Sequence, residues 1–125
     1  MKILYKTVKV DKENFNKVHL NIVNSFMEKK LTGTEIEVLA AFMSLDKSII
    51  EEDMFNTLAR KQVKEKLGNM SAGGLGNHIK SMILKDVLNK NEITNKITVV
   101  SAFIPEEHSQ GYQIKLIENV KKEEE

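Results

Sequence analysis

Apolar positions near the N-terminus follow first a period of two residues and then a helical period. Residues 2–10 alternate polar and apolar side chains, which predicts a short strand. After Asp11, a good helix N-cap, apolar residues recur every three or four positions and predict a helix over residues 12–29. The apolar positions of this helix are Phe15, Val18, Ile22 and Phe26.

Two further helices are indicated by start and stop signals. Thr32 and Glu35 have the spacing of a capping box and predict a helix over residues 33–45. Its apolar stripe consists of Ile36, Leu39, Ala40 and Met43. After the polar connector DKSIIEED, which can itself hold a helical turn, a third helix is predicted over residues 54–67, with Gly68 as its stop. Its stripe consists of Phe55, Leu58, Ala59, Val63 and Leu67.

A fourth helix follows almost at once. Ser71 is a favourable N-cap and predicts a helix over residues 72–85. The apolar stripe of this helix consists of Leu75, Ile79, Met82 and Ile83. Only Gly68, Asn69 and Met70 separate the third and fourth helices, which is the turn length of a helix-turn-helix unit.

The pattern then returns to a period of two. Residues 87–93 and 96–104 predict two strands joined by a tight turn near Thr94 and Asn95. Residues 119–125 form a charged tail that we expect to be disordered. A last short strand is predicted at Tyr112, Ile114 and Leu116.

A helix pair followed directly by a hairpin is the winged helix-turn-helix arrangement. The stretch LARKQVKEKLGNMSAGGLGNHIKSMILKDVL resembles the winged helix-turn-helix superfamily of bacterial and phage DNA-binding proteins, and the resemblance covers roughly Phe55 to Val100. We therefore expect an α+β, mainly helical fold, with one domain over residues 1–118 and its core motif over residues 32–104. The N-terminal strand and helix and the short C-terminal strands are additions to that motif.

Charge is distributed unevenly although the formal net charge is only +1. Residues 32–53 contain six acidic residues and one Lys, whereas residues 54–96 contain eight Lys or Arg and three acidic residues. Such blocks predict one basic and one acidic face, and a basic face attracts a polyanion. The alternative is that the charges form an ordinary solvated surface. The absence of cysteine excludes disulfides, thiolate chemistry and cysteine-based zinc sites.

The fourth predicted helix has a polar face opposite its apolar stripe. At 100° per residue, Gly73, Gly74, Asn77 and Ser81 point outward. Asn77 can make a bidentate contact with adenine, and the helix N-terminus at Ser71 can hold phosphate. The predicted DNA-binding residues are Arg60, Lys61, Ser71, Gly73, Gly74, Asn77, His78, Lys80, Ser81, Lys85, Lys90 and Lys96.

Three glycines inside this helix need an explanation, since each costs about 1 kcal/mol relative to alanine. Gly76 lies near the buried side, which predicts close packing of the third and fourth helices. Gly73 and Gly74 point away from that side, which predicts close approach of a ligand backbone. The segment lacks the spacing of a dinucleotide fingerprint, and the three histidines lack metal-ligand spacing. We expect neither a cofactor nor a metal.

The predicted function is a non-enzymatic DNA-binding protein, a transcriptional regulator that uses helix 72–85 in the major groove and hairpin 87–104 as a wing. Because Arg60 is the only arginine, the commonest contact to guanine is largely missing, and AT-rich duplex is the expected partner. RNA remains an open alternative. A homodimer is expected for recognition of a palindromic site.

A second reading of the same motif is a phage structural or adaptor protein, present in the virion, that uses the winged helix for protein contacts. An interface could then form from Ile3, Tyr5, Phe15 and Phe26. The excess of Lys over Arg is common in AT-rich genomes, including those of phages. The N-terminus lacks the apolar stretch of a signal peptide, so we expect a cytoplasmic protein without a membrane partner, in the host cytoplasm if phage-encoded.

Overall fold

Five α-helices and one antiparallel hairpin make up the regular structure of residues 2–119, which are the residues that this computed structural model describes. The helices are α1 (Phe15–Asn24), α2 (Gly33–Met43), α3 (Lys47–Ile50), α4 (Thr57–Lys66) and α5 (Ala72–Leu84). The hairpin strands are β1 (Leu88–Lys90) and β2 (Ile97–Val99), and short 3-10 helices form at Lys12–Asn14 and Ser101–Phe103. The fold is therefore α+β and mainly helical, as predicted. Residues 120–125 of the predicted tail lie outside the described residues.

Helix α2 lies at the centre of the fold because its surface is apolar on most sides. It packs against α1, α4 and α5, and Val38, Leu39 and Phe42 have no exposed surface. The Phe42 ring also lies 4.6 Å, centroid to centroid, from that of Phe55 before α4. The single apolar stripe predicted for this helix is too narrow, since a helix that is apolar all round is buried all round.

The helix starts predicted from caps are confirmed at α2 and α5. Thr32 Oγ1 accepts the N–H of Glu35 at 3.1 Å, and the Glu35 carboxylate accepts the N–H of Thr32 at 2.8 Å, which completes the capping box. Ser71 Oγ accepts the N–H of Gly74 at 3.0 Å at the start of α5. Helix α4 starts later than predicted, because Asn56 caps it through the N–H of Ala59.

The N-terminal part differs most from the sequence prediction. Residues 2–10 form no strand, and α1 ends at Asn24 instead of residue 29. The side chain of Asn24 accepts the N–H of Leu31 at 2.7 Å and donates to its carbonyl at 3.1 Å, which fixes a chain reversal there. The predicted stripe is also wrong: Phe26 is 65% exposed, whereas His19 and Leu20 are buried.

The hairpin is shorter than predicted, and its loop is longer. Six residues connect β1 and β2, and the side chain of Asn91 accepts the N–H groups of Ile93 and Thr94 at 2.9 and 3.1 Å. The chain turns there and at Asn95, whose φ is 60°. Beyond β2 a 3-10 helix buries Phe103, and the strand predicted around residue 114 does not form. Within residues 2–119 no helix is long and apolar enough to span a bilayer.

Candidate nucleic-acid interface

Helices α4 and α5 pack against each other across a short turn. Helix α4 ends where Gly68 and Asn69 adopt left-handed φ values of 81° and 63°. The N–H groups of Asn69 and Met70 both donate to the carbonyl of Lys64, at 2.8 and 3.2 Å. These bonds satisfy a carbonyl at the helix end, and glycine is the residue that adopts such a φ without strain. The Ser71 cap then starts α5.

Four exposed residues form what we call the outer face of α5: Ser71, Gly73, Asn77 and Lys80. The opposite side of the helix buries Leu75, Ile79 and Met82, which agrees with the predicted stripe. His78 is half-buried at the margin of the face. Of the four residues that the period of 3.6 residues placed on the outward side, Gly73 and Asn77 are exposed, whereas Gly74 and Ser81 are half-buried.

Two residues predicted for the same face point elsewhere. The Lys85 ammonium lies 2.5 Å from the carboxylate of Glu35, which is almost fully buried in α2. The Ser81 side chain also lowers the pKa of the Glu35 carboxyl and so stabilises its negative charge. The structure therefore corrects the prediction that Ser81 points outward, and it shows that Lys85, predicted as a basic DNA contact, is already paired with Glu35. They belong to the contact between α2 and α5, which fixes how α5 is presented.

Hydrogen bonding decides the charge of Glu35. Burial by itself would raise the pKa of this carboxyl, but the bonds from Lys85, Ser81 and Thr32 outweigh it and hold the pKa at about 2, below the ordinary value of 4.5. The stabilisation that this lowered pKa represents is complete above about pH 4.5 and is lost as the pH falls towards 2. Near neutral pH, Glu35 is an anion paired with Lys85.

The glycines of α5 have different explanations. A Cβ at Gly74 would lie 3.0 Å from Ser71 Oγ, so Gly74 leaves room for the cap. A Cβ at Gly76 would meet nothing within 4 Å, so the predicted close packing of α4 and α5 at this glycine is wrong. Gly73 also faces open space. Close approach of a ligand therefore remains a prediction for Gly73, whereas Gly74 has an internal reason.

The two basic residues predicted on α4 differ in how far they are exposed to bind DNA. Arg60 is half-buried, and its Nε–H donates to the carbonyl of Phe55 at 2.7 Å, so part of the guanidinium holds the start of its own helix. Lys61 is exposed. Leu58, predicted to be buried in the stripe of this helix, is 52% exposed instead.

The hairpin adds a polar, basic surface after α5. Its predicted residues Lys90 and Lys96 are exposed, one on β1 and one at the end of the loop. They border a shallow open pocket of about 270 Å³. Its lining consists of Asn89, Lys90, Asn91, Thr94, Lys96 and Thr98. Asn89 and Thr98 were not among the predicted DNA-binding residues. The alternation of polar and apolar residues in the two strands could have identified them, because they lie opposite each other in the strand pair, on its polar side.

A buried histidine lies outside this surface. His19 of α1 donates from Nε2 to the carbonyl of Ala102 at 3.3 Å, which leaves Nδ1 to accept the hydroxyl of Tyr112 at 2.5 Å. The two rings stack with centroids 5.7 Å apart. Burial lowers the pKa of His19, against a smaller raising effect of the Ala102 carbonyl, and burial raises the pKa of Tyr112. Among residues 2–119, no cluster of three or more His, Asp or Glu side chains is arranged to hold a metal ion.

Because of the lowered pKa of His19, we expect the stability of the folded protein to depend on pH. Unfolded His19 takes up a proton near pH 6.5, whereas folded His19 does so only at lower pH, so the free energy of unfolding should fall as the pH drops below about 7. The slope for one proton is at most about 1.4 kcal/mol per pH unit. When the free energy of unfolding is measured with urea between about pH 7.5 and 5.5, it should change less with pH for His19→Gln than for the wild type. The exposed-residue control, His108→Gln, should keep the wild-type slope, and equal slopes in all three proteins would contradict the assignment.

No family model, characterised protein or solved structure matches this chain. The exposed polar and basic features of these elements are the outer face of α5, Lys61 of α4 and the basic pocket of the hairpin. Lys85, Ser81 and Arg60 support these elements from inside.

Proposed function

We propose that this chain is a winged helix-turn-helix protein that binds duplex DNA without catalysing a reaction, and that it serves as a transcriptional regulator. The outer face of α5 carries the proposal. It is exposed, and its side chains are small or polar, from Gly73 to Asn77 and Lys80. Helix α5 follows α4 after a short turn, begins at the Ser71 cap, and directly precedes a hairpin with two exposed lysines. In such proteins the second helix enters the major groove and the hairpin lies against the backbone.

The chemistry of the outer face suits a groove. Gly73 faces open space without a side chain, so the backbone of α5 can come close to DNA. Asn77 carries the donor and acceptor pair that matches adenine N7 and N6, and Lys80 can neutralise a phosphate beside it. Ser71 and the first turn of α5 offer further N–H groups to phosphate.

A fixed orientation of α5 supports the same function. The ion pair between Glu35 and Lys85 ties the C-terminal end of α5 to the central helix α2. The buried residues Ile79 and Met82 hold its inner side. Side chains on a rigidly held helix lose little conformational entropy when they bind, which favours recognition by a preformed surface.

Sequence preference is expected to be modest. The only arginine of the chain, Arg60, is partly engaged with the carbonyl of Phe55, so the bidentate contact to guanine that dominates specific recognition is weakened. The contacts that remain favour adenine at Asn77 and the shape of AT-rich duplex. The proposed partner is therefore AT-rich double-stranded DNA.

Fluorescence anisotropy with a labelled AT-rich duplex of about two helical turns tests the proposal. We expect binding at about 50 mM salt that weakens steeply with added salt. Phosphate contacts from Lys61, Lys80, Lys90 and Lys96 would give a slope of log K against log salt near −3.6, at about −0.9 per contact. Absence of binding at low salt, or binding that does not depend on salt, would contradict the proposal. Single-stranded DNA and duplex RNA of the same sequence serve as comparison ligands.

One observation favours the second candidate, a phage structural or adaptor protein that uses these elements for protein contacts. Ile93 at the tip of the hairpin is 93% exposed, and Leu84 at the end of α5 is also exposed. Large apolar side chains exposed at such positions are typical of a surface that contacts another protein. This candidate predicts no duplex binding in the same titration.

A further inference from the structure

Exposed apolar surface is concentrated in two segments, which we call the N-terminal arm (residues 2–10) and the C-terminal arm (residues 104–119). Nine of the fourteen large apolar side chains that are exposed within residues 2–119 lie in the two arms. They are Ile3, Leu4, Tyr5, Val8, Ile104, Tyr112, Ile114, Leu116 and Ile117. Scattered exposed apolar residues are ordinary, but such a concentration indicates an interaction surface.

The backbone of the two arms forms few hydrogen bonds. In the C-terminal arm, the N–H of Ile104 donates to the carbonyl of Ser101, the N–H of Glu106 donates to Gln110 Oε1, and the carbonyl of Gly111 accepts from Gln110 Nε2. No backbone–backbone hydrogen bond described for residues 2–119 involves residues 2–10 or 105–119. Alternating side chains, as at Tyr112, Ile114 and Leu116, are typical of strands. Extended segments with free N–H and C=O groups and an apolar face are templates for pairing with another strand.

The two arms are complementary in charge. The N-terminal arm carries Lys2, Lys6 and Lys9 and no acidic residue. The C-terminal arm carries three glutamates and Lys115. Its glutamates are Glu106, Glu107 and Glu118, of which Glu107 already forms an exposed ion pair with Lys47 at 3.3 Å. Opposite charges on paired strands stabilise the pair, whereas two N-terminal arms side by side would repel each other.

Both arms lie beside α1. The N-terminal arm leads directly into the 3-10 helix that precedes α1, and the C-terminal arm is held on α1 by the contact of Tyr112 with His19. Within residues 2–119 the two arms form no backbone hydrogen bond with each other, so neither arm has a strand partner in its own chain.

We propose that two copies of this chain form a dimer in which the N-terminal arm of each copy pairs as a β-strand with the C-terminal arm of the other. A second copy supplies one complementary arm for each arm of the first. Twofold symmetry then makes two identical strand pairs and leaves no arm unmatched. The inference goes beyond DNA binding and does not depend on it.

Light scattering coupled to gel filtration tests the dimer with the full chain. We expect a molar mass of twice the 14.3 kDa of one chain. Ile114→Asp places a charge on the apolar side of the C-terminal arm and should halve the measured mass, whereas its neighbour variant Gln113→Asp should leave it unchanged. Both residues are exposed and lie outside helices and strands, so thermal unfolding of the two variants should match that of the wild type. A monomeric wild type up to millimolar concentration, or a dimer that survives Ile114→Asp, would overturn the proposal.

Disulfide trapping distinguishes exchange between copies from pairing within one copy. Because the chain has no cysteine, a copy with Tyr5→Cys and a differently tagged copy with Ile114→Cys can be mixed and oxidised. We expect a disulfide that joins the two differently tagged copies. Its yield should be higher than when the second copy carries Gln113→Cys instead of Ile114→Cys. If the double variant Tyr5→Cys/Ile114→Cys forms its disulfide only within single chains, and the mixture gives none, the arms pair in cis and the proposed dimer is wrong.

Discussion

Replacing Lys85 by methionine is expected to destabilise the protein by about 3 kcal/mol, near the lower end of the range for breaking a buried ion pair. Glu35 is almost fully buried, and its pKa of about 2 depends on Lys85 more than on any other hydrogen-bond partner. Removing the ammonium leaves the desolvated carboxylate without its counter-charge. Urea unfolding at pH 7, analysed as a two-state transition, measures the loss.

Two comparisons separate this effect from the loss of an ordinary surface charge. Lys47→Met removes an ion pair with Glu107 whose two side chains are both exposed, so little change in stability is expected. The double variant Glu35→Gln/Lys85→Met removes both charges, and glutamine can still complete the capping box with Thr32. It should be more stable than Lys85→Met alone. If Lys85→Met costs no more than Lys47→Met, the pair does not fix α5 as described.

The double variant Asn77→Ala/Lys80→Ala is expected to raise the dissociation constant for AT-rich duplex by about 100-fold. A good bidentate contact to a base is worth about 1–3 kcal/mol, and Lys80 contributes a phosphate contact in addition. The slope of log K against log salt should fall by about 0.9 in magnitude with the loss of one phosphate contact. Anisotropy titrations at three or more salt concentrations measure both quantities.

A matched control is available on α1. Lys17→Ala/Asn21→Ala also removes one lysine and one asparagine from exposed helical positions, but α1 is not an element of the proposed interface. Its affinity and its salt slope should equal those of the wild type. The four substituted side chains are exposed, so the variants should remain folded. If both double variants lose affinity equally, the binding is a property of net charge, and the outer face of α5 has no special role.

Local signals predicted the helices well where the sequence contains the group that caps them. Thr32 with Glu35, and Ser71, satisfy free N–H groups within the same few residues, so the geometry is settled locally. The same holds for Gly68, which adopts a left-handed φ at the end of α4. Strands were predicted less well, because a strand needs a partner. Residues 2–10 and the segment around Ile114 alternate correctly but find no neighbour in their own chain.

In the candidate site, too, some positions follow from local sequence signals and others depend on distant residues. Helical periodicity placed Asn77 and Lys80 on the exposed side of α5, as the structure shows. It misplaced Lys85, because the position of a long side chain depends on what stands near it, and Glu35 lies 50 residues away in sequence. The burial of His19 likewise depends on Ala102 and Tyr112, which are distant in the chain.

The sequence by itself determined the order of the four main helices and the hairpin, the capped starts of α2 and α5, and most of the exposed polar face of α5, since caps and periodicity act over one or two helical turns. Only the tertiary structure decided which charged groups are buried in pairs, which segments lack a strand partner, and which lysines stay exposed. The reason is physical: desolvation and pairing depend on neighbours that are close in space and remote along the chain.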